Sequence, residues 1–351
     1  MIKRKQTRVI HLGSIPIGGN NPITIQSMTT THTSDIDATV AQARALVQAG
    51  CQILRVAVPD EAAAHAIPEL VKQISVPLIA DIHFDYRLAL KSIAGGIHGL
   101  RLNPGNIGGM DRVRAVVDAA REHQIPIRIG VNSGSLDPVI QKKYGVTAQA
   151  IVESALQHVR ILEEANYAEM KISVKASSVP LTIEAYRLLS SKVDYPLHLG
   201  VTEAGTSFSG TIKSAVGIGA LLAEGIGDTL RVSLTADPVE EVIVAKEILR
   251  VLGIRKGLNI ISCPTCGRTQ INLIGIAREV EKQLIPYAAK DITVAVMGCV
   301  VNGPGEAKEA DYGICGGDGV GLVFKKGVIT KRVPEAQLID ALLDEIKADA
   351  D

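Results

Sequence analysis

The feature that most constrains this chain is a unit that recurs between about residues 23 and 250. Each unit is a short β-prone apolar run, a turn, and an amphipathic helical segment. The runs are ITIQSM, ILRVAV, PLIADIHF, GLRLN, PIRIGVN, MKISVK, PLHLGVTE and TLRVSL. Between them lie segments such as DATVAQARALVQAG and AQAIVESALQHVRILEEA, whose apolar positions return every three or four residues. That spacing predicts helices with one buried face. Eight such units fit a closed (β/α)8 barrel, whereas an open doubly wound sheet rarely needs so many regular repeats. The preceding RVIHLGSIPIGGNNP predicts a β-hairpin that caps the bottom of the barrel.

After RVLGIRKGL the pattern changes. NIIS, ITVAVMG, YGICGG, GVGLVF and GVITKRV read as strands, and PEAQLIDALLDEIKADA as a helix. QINLIGIAREVEKQL reads as a second helix, beginning near Gln270. The expected architecture is α/β: a TIM-type barrel over 1–252, then a small α+β domain over 257–351. The second domain holds four of the five cysteines, and this concentration matters below.

Lys plus Arg and Asp plus Glu both number 37, Trp is absent and Phe numbers 3. This is not the basic, aromatic-studded surface of a nucleic-acid binder. A neutral total still allows a local cationic pocket for a small anion. The basic N-terminal stretch has no apolar run long enough for a signal peptide, and SAVGIGALLA is too short to span a bilayer. A cytoplasmic protein with no membrane partner is expected. Five cysteines in 351 residues are too sparse for a disulfide scaffold. In a reducing compartment a CxxC pair points to metal or redox chemistry.

Barrels of this kind place their chemistry at the C-terminal ends of the strands. There the runs carry Ser27 and Met28, Arg55, Asp81 with His83, Arg101 with Asn103, and Arg128 with Asn132. The later strands carry Lys171 and Lys175, Thr202 with Glu203, and Arg231 with Ser233. So many cations cannot be buried unpaired in a packed core. A pocket for a multiply charged anion such as a diphosphate accounts for them, because guanidinium groups match phosphate oxygens bidentately. The competing reading is a set of structural ion pairs to Asp81, Glu203 and rim carboxylates. Two further readings stay open. NPGNIGG at 103–109 is either a backbone phosphate cradle or a plain βα loop, and Lys171 or Lys175 could form a Schiff base.

In the second domain Cys263 and Cys266 form a CxxC after a strand, and Cys299 follows in a Gly-rich turn. No histidine occurs after His198, which excludes a local Cys/His zinc site. Residue types leave the fourth ligand divided between Cys315 and Glu306. Four cysteines would make a saturated site, whereas a carboxylate would leave one labile position.

SCPTCGR, VMGCVVNGPGEA and ADYGICGGDG, together with IQSMT, GVTEAG and GTIKSAVGIGALLAEGIGDTLRVSLT, resemble the 4-hydroxy-3-methylbut-2-enyl diphosphate synthase family. The similarity covers essentially the whole chain. It implies a barrel followed by a smaller domain, similar to those of sulfite and nitrite reductases, that holds a 4Fe-4S cluster. The cluster ligands it implies are Cys263, Cys266, Cys299 and Glu306, with Cys315 outside the set. The implied reaction opens 2-C-methyl-D-erythritol 2,4-cyclodiphosphate with two electrons and loss of water, in the non-mevalonate isoprenoid pathway. Arg55, Arg101, Arg128, Lys175 and Arg231, assisted by Asn132 and Ser233, then hold the diphosphate. Glu306 becomes the ligand that gives way to substrate oxygen, and Glu203 the proton donor provided burial raises its pKa. The family further implies flavodoxin or ferredoxin as electron donor. It also implies a head-to-tail homodimer in which one chain's cluster closes the other's barrel.

Overall fold

The structure, a computed structural model, describes residues 2–299, 307–317 and 319–349. It divides into two compact units, Met1–Leu252 and Gly253–Asp351.

The first unit opens with an antiparallel hairpin of β1 (Ile10–Leu12) and β2 (Ile15–Ile17). Four parallel strands follow: β3 (Thr24–Met28), β4 (Ile53–Ala57), β5 (Leu78–Asp81) and β6 (Gly99–Arg101). Four more complete the sheet: β7 (Ile127–Asn132), β8 (Met170–Lys175), β9 (His198–Leu199) and β10 (Thr229–Leu230). Their order is β8-β7-β6-β5-β4-β3-β10-β9. The ring closes where Ile172 of β8 bridges Leu197 just before β9, with the Ile172 N–H donating to Pro196 O at 2.9 Å. Every strand expected from the repeat is present, and the barrel is the one the repeat predicts.

The helices between strands are α1 (Ile36–Ala49), α2 (Glu61–Gln73), α3 (Tyr86–Ala94), α4 (Met110–Glu122) and α5 (Pro138–Tyr144). They continue with α6 (Ala148–Glu164), α7 (Val179–Lys192), α8 (Ser207–Ala223) and α9 (Pro238–Val251). Most start on a side chain that accepts a backbone N–H of the first turn: Asp35, Asp60, Asp85, Asp137, Thr147, Ser178 and Asp237. Such caps satisfy otherwise orphaned donors and fix where each βα loop ends.

The hairpin plugs the N-terminal end of the barrel, as its sequence predicts. Ile10, Leu12 and Ile17 are buried in one cluster with Ile53 and Ile79 from the starts of β4 and β5. Gly99, at the start of β6, leaves the room that Leu12 needs, since a Cβ there would lie 2.4 Å from Leu12 Cδ1. The opposite end carries the loops.

In the second unit β11 (Asn259–Ser262), β12 (Thr293–Met297), β13 (Tyr312–Cys315), β14 (Val320–Lys325) and β15 (Val328–Pro334) form one sheet in sequence order. The first three strands are parallel and the last three antiparallel. α10 (Leu273–Gln283) and α11 (Leu338–Ala348) pack one core with Val294, Val296, Ile314 and Val323. The first of these helices starts at Leu273, later than Gln270. Gln270 is still tied to the strand ends, its N–H donating to Gly298 O, and the Asn272 side chain supplies the cap. Among the described residues no helix is long and apolar enough to cross a membrane.

Candidate functional site

Strand side chains alternate between barrel interior and helix layer. On β8 this sends Lys171, Ser173 and Lys175 inward, and on β7 Arg128, Gly130 and Asn132. With Arg55, Asp81, His83, Arg101, Thr202, Arg231 and Ser233, all of these except Lys171 line a cavity of about 220 Å³ at the C-terminal end of the strands. The structure therefore brings together Arg55, Arg101, Arg128, Asn132, Lys175, Arg231 and Ser233, all seven residues expected to bind anion.

The cavity's carboxylates are already committed. Asp81 lies 3.6 Å from Arg55 Nε and 3.2 Å from Arg101 Nη1. Glu241, from the first turns of α9, pairs with Arg231 at 3.2 Å and accepts from the Ser27 hydroxyl and the Leu234 N–H. Arg128, only 2% exposed, lies in no ion pair among the described residues and donates to Ser173 Oγ at 2.9 Å. Among the described residues its Nε and Nη2, and Nζ of the 1%-exposed Lys171, have no hydrogen-bond partner. The interior thus holds more cations than carboxylates.

Backbone geometry aims Arg101. Its Nη2 donates to Gly130 O at 3.2 Å, and Asn103 Nδ2 donates to the same oxygen at 2.9 Å. Asn103 Oδ1 accepts the Gly130 N–H at 2.9 Å, so one side chain holds both backbone groups. A Cβ on Gly130 would lie 3.0 Å from Arg101 Nε.

The charge imbalance is visible in the titrating groups. Burial lowers Arg55 to about 10, with Asp81 opposing it. Burial, then Arg55 and Arg101, push Arg128 well below the ordinary guanidinium value. Burial and the neighbouring arginines likewise lower Lys175. Burial pulls Asp81 up, but Arg55, Arg101 and Arg128 outweigh it and hold the carboxylate below its ordinary value. Burial lowers His83 against the pull of Asp81, so the imidazole is neutral at pH 7. It lies 3.2 Å (Nδ1) and 3.3 Å (Nε2) from Arg101 Nη1. A cavity of this kind, with its positive charge preformed and incompletely neutralised, suits a multivalent anion.

In the second unit the strand ends carry thiols. Cys263 directly follows β11, Cys299 follows β12 by two residues, and Cys315 ends β13. The Gly298 N–H donates to Cys263 Sγ at 3.1 Å, drawing the CxxC against the turn that holds Cys299. Thr269 closes the CPTCGRT loop, accepting the Cys266 N–H and donating its own N–H to Cys266 O. The Arg268 backbone N–H, then its side chain, lower the pKa of the exposed Cys266 thiol. Cys315 differs: it is fully buried with Ala295, Met297 and Phe324, and burial, then Cys299, push its thiol to about 11. The donor chemistry of the first three thiols suits a soft thiolate-bound metal or cluster. Among the described residues no three Cys, His, Asp or Glu side chains are gathered closely enough to hold a metal ion. Glu306 lies outside the described residues.

Residues 7–246 match the model of the GcpE TIM-barrel domain, and residues 259–348 that of the GcpE protein C-terminal domain. The chain belongs to the GcpE family. A GcpE-family relative from Geobacter sulfurreducens, named 4-hydroxy-3-methylbut-2-en-1-yl diphosphate synthase (flavodoxin), is 62% identical over 346 residues, covering 98% of each chain. A protein of the same name from Caldanaerobacter subterraneus subsp. tengcongensis is 61% identical over 350 residues, 99% of this chain and 98% of the other. The family resemblance drawn from the sequence therefore holds over the whole chain. Among solved structures, dihydropteroate synthase from Yersinia pestis aligns with a TM-score of 0.50 at 11% identity, covering 70% of this chain and 97% of its own. That likeness concerns the barrel fold alone.

In this GcpE-family chain some expected residues stand apart from the cavity. Glu203 is exposed, in the left-handed backbone region at φ 52°, and lines a neighbouring cleft with Gly205, Leu234 and Glu241. The burial on which its proton-donor role was premised is absent from the single chain, because a strained turn presents it outward. In the NPGNIGG segment the Gly105 N–H donates to the half-buried imidazole of His158, at 3.2 Å from Nδ1, and the segment does not line the cavity. Sequence reasoning missed Ser173 and Glu241. Glu241 did leave a signal, since it occupies the buried face of α9 with Val242, Ala245 and Leu249, where an apolar residue belongs.

Proposed function

We propose that the chain converts 2-C-methyl-D-erythritol 2,4-cyclodiphosphate to 4-hydroxy-3-methylbut-2-enyl diphosphate, the reaction for which its relatives are named. The observation that carries this reading is the strand-end cavity with its surplus of arginine and lysine. Arg55, Arg101, Arg128, Lys175 and Arg231 hold the diphosphate, with Asn132 and Ser233 donating neutral hydrogen bonds. Arg128 gains most, because its unpartnered nitrogens find acceptors only when an anion enters. His83, neutral beside Arg101, is a further donor at the rim. Glu203 delivers the proton to the departing hydroxyl once something covers the barrel mouth and desolvates it.

Cys263, Cys266, Cys299 and Glu306 would hold a 4Fe-4S cluster. The lowered Cys266 thiol and the N–H donated to Cys263 Sγ support thiolate ligation, and the buried, raised Cys315 thiol is the poorer candidate. When bound, the cluster supplies the electrons and the Lewis acidity that the reductive ring opening requires. Flavodoxin as electron donor agrees with the relatives' names. A head-to-tail homodimer would supply the cover that Glu203 lacks. Exposed Phe208, Ile212 and Val216 at i, i+4 and i+8 of α8, with Ile243 and Val251 of adjacent α9, support self-association.

The test is anaerobic preparation of the protein and of its Glu306→Ala and Cys315→Ala variants. Iron, sulfide and zinc are assayed alongside turnover with reduced flavodoxin. Glu306→Ala is expected to lose turnover and bind iron loosely, and Cys315→Ala to keep both. The reverse result overturns the ligand assignment, and full zinc occupancy without iron overturns the cluster.

A further inference from the structure

We propose that Lys171, beneath the diphosphate cavity, is the group that adjusts the cavity's charge to its occupant, taking up a proton as the anion enters. The inference rests on the diphosphate reading of the cavity.

The argument begins with position. Lys171 stands opposite Arg128 in the β7–β8 register and shares the inward face of β8 with Ser173 and Lys175, one layer deeper than the cavity wall. Its Nζ has no hydrogen-bond partner among the described residues. The groups that act on it are cationic or neutral: Arg128 from β7, Arg55 from β4 and His198 from β9, while Lys175, further along its own strand, is itself lowered by burial and the arginines. His198 is neutral, since burial and these cations hold its pKa well below the usual imidazole value, and its Nδ1 lies 2.6 Å from Thr229 Oγ1. The two nearby carboxylates serve other residues, Asp81 holding Arg55 and Arg101, and Glu241 holding Arg231. Among the described residues Lys171 is therefore a buried amine with no counter-ion and with Arg128 and Arg55 close by.

Such a site relieves its repulsion by giving up a lysine proton, and Lys175, which burial and the same arginines also lower, shares that capacity with Lys171. Arginine does not deprotonate in proteins, so Arg128 and Arg55 keep their charges. A lysine can yield its proton, and burial, then Arg128 and Arg55, lower Lys171 to about 7. The same arginines line the cavity, so a diphosphate held there reverses the field at Nζ and makes the ammonium form favourable. The empty barrel thereby carries one charge fewer than the filled one, which spares it self-repulsion in exchange for anion binding that weakens as pH rises above 7. Linkage fixes the sign for folding. Between pH 7 and pH 10.5 the unfolded chain keeps a proton that native Lys171 has released, so stability contributed by this group rises with pH across that window.

The experiment is calorimetric titration of inorganic pyrophosphate and of the cyclic diphosphate into the anaerobic holoprotein at pH 8, in buffers of different ionisation enthalpy. At one pH unit above its folded pKa, Lys171 is about nine-tenths deprotonated, so it contributes roughly one proton of uptake on binding. Lys171→Met is expected to lower the measured uptake by that amount and to weaken pyrophosphate binding by about tenfold. Its melting temperature is expected to equal or exceed that of the wild type, because an unpaired buried amine has been removed. Lys171→Arg, whose charge does not titrate, is expected to bind at least as tightly as the wild type without the uptake. Unchanged uptake in both variants overturns the role of Lys171 and leaves the cavity assignment standing. Failure of the wild type to bind either anion overturns the cavity assignment, and this inference with it.

Discussion

Asp81 shows what a single carboxylate does in a cationic barrel. It is buried yet stays ionised, because Arg55 and Arg101 outweigh its loss of solvent. Asp81→Asn leaves both guanidinium groups without a counter-ion, at a cost of about 3–5 kcal/mol for a buried pair broken on one side. The melting temperature is expected to fall accordingly at pH 7. Pyrophosphate should recover more of the loss in the variant than it adds to the wild type, because the anion takes over the carboxylate's work. The pH dependence follows from a lowered folded pKa. The stability Asp81 contributes is complete above the unfolded carboxylate value of about 3.9 and is lost as pH falls through the folded one. The wild-type advantage should therefore close in acid, and equal melting at pH 7 would refute the ion-pair account. Residues of this kind are half-legible in a sequence. Arg and Lys at strand ends stand out because a core rejects them, so the anion pocket was readable. Which cation each carboxylate neutralises was not, because Glu241 reaches Arg231 from a helix and no periodicity encodes that contact.

At the scale of elements the chain follows local rules closely. Asp, Ser and Thr caps mark helix starts, and the strands are buried on both faces, their side chains alternating between lumen and helix layer. The helix after the CxxC was placed too early. Its apolar pattern extends back to Ile271, but the preceding Gln270 is held to Gly298 by a backbone hydrogen bond, a tertiary contact no propensity records. The hairpin β1–β2 illustrates the division of labour in barrels, with stability at the bottom and chemistry at the top. Leu12 is buried at that bottom against the start of β6. Leu12→Ala should cost about 2–4 kcal/mol through lost burial and the cavity left behind. Turnover measured well below the melting temperature should be unchanged. A variant that melts normally but turns over slowly would show that the plug supports the distant site rather than the barrel as a whole.

For the molecule as a whole, the two-unit order was plain from the switch in sequence period after the barrel repeat. Function is harder to read, because the anion cavity and the thiols belong to different compact units. Glu203 carries the consequence: it is exposed at the barrel mouth, where a proton donor to a departing hydroxyl needs a dry environment. If a second chain supplies the cover, each working site joins one chain's barrel to its partner's thiols. Two inactive variants then complement each other. Arg128→Met disables the barrel half, and Cys266→Ser, at an exposed thiol, disables the other half with little disturbance of the fold. Mixed in equal amounts with free exchange, half the dimers pair one variant with the other. In each of these, one of the two sites unites an intact barrel with intact thiols. Recovery should approach about one quarter of wild-type turnover by this symmetry argument. A site assembled within one chain predicts no recovery at any ratio, because every chain in the mixture then carries a defect in its own site. Distinguishable affinity tags on the two variants establish that exchange has occurred, and turnover of doubly purified mixed dimers decides between the two arrangements.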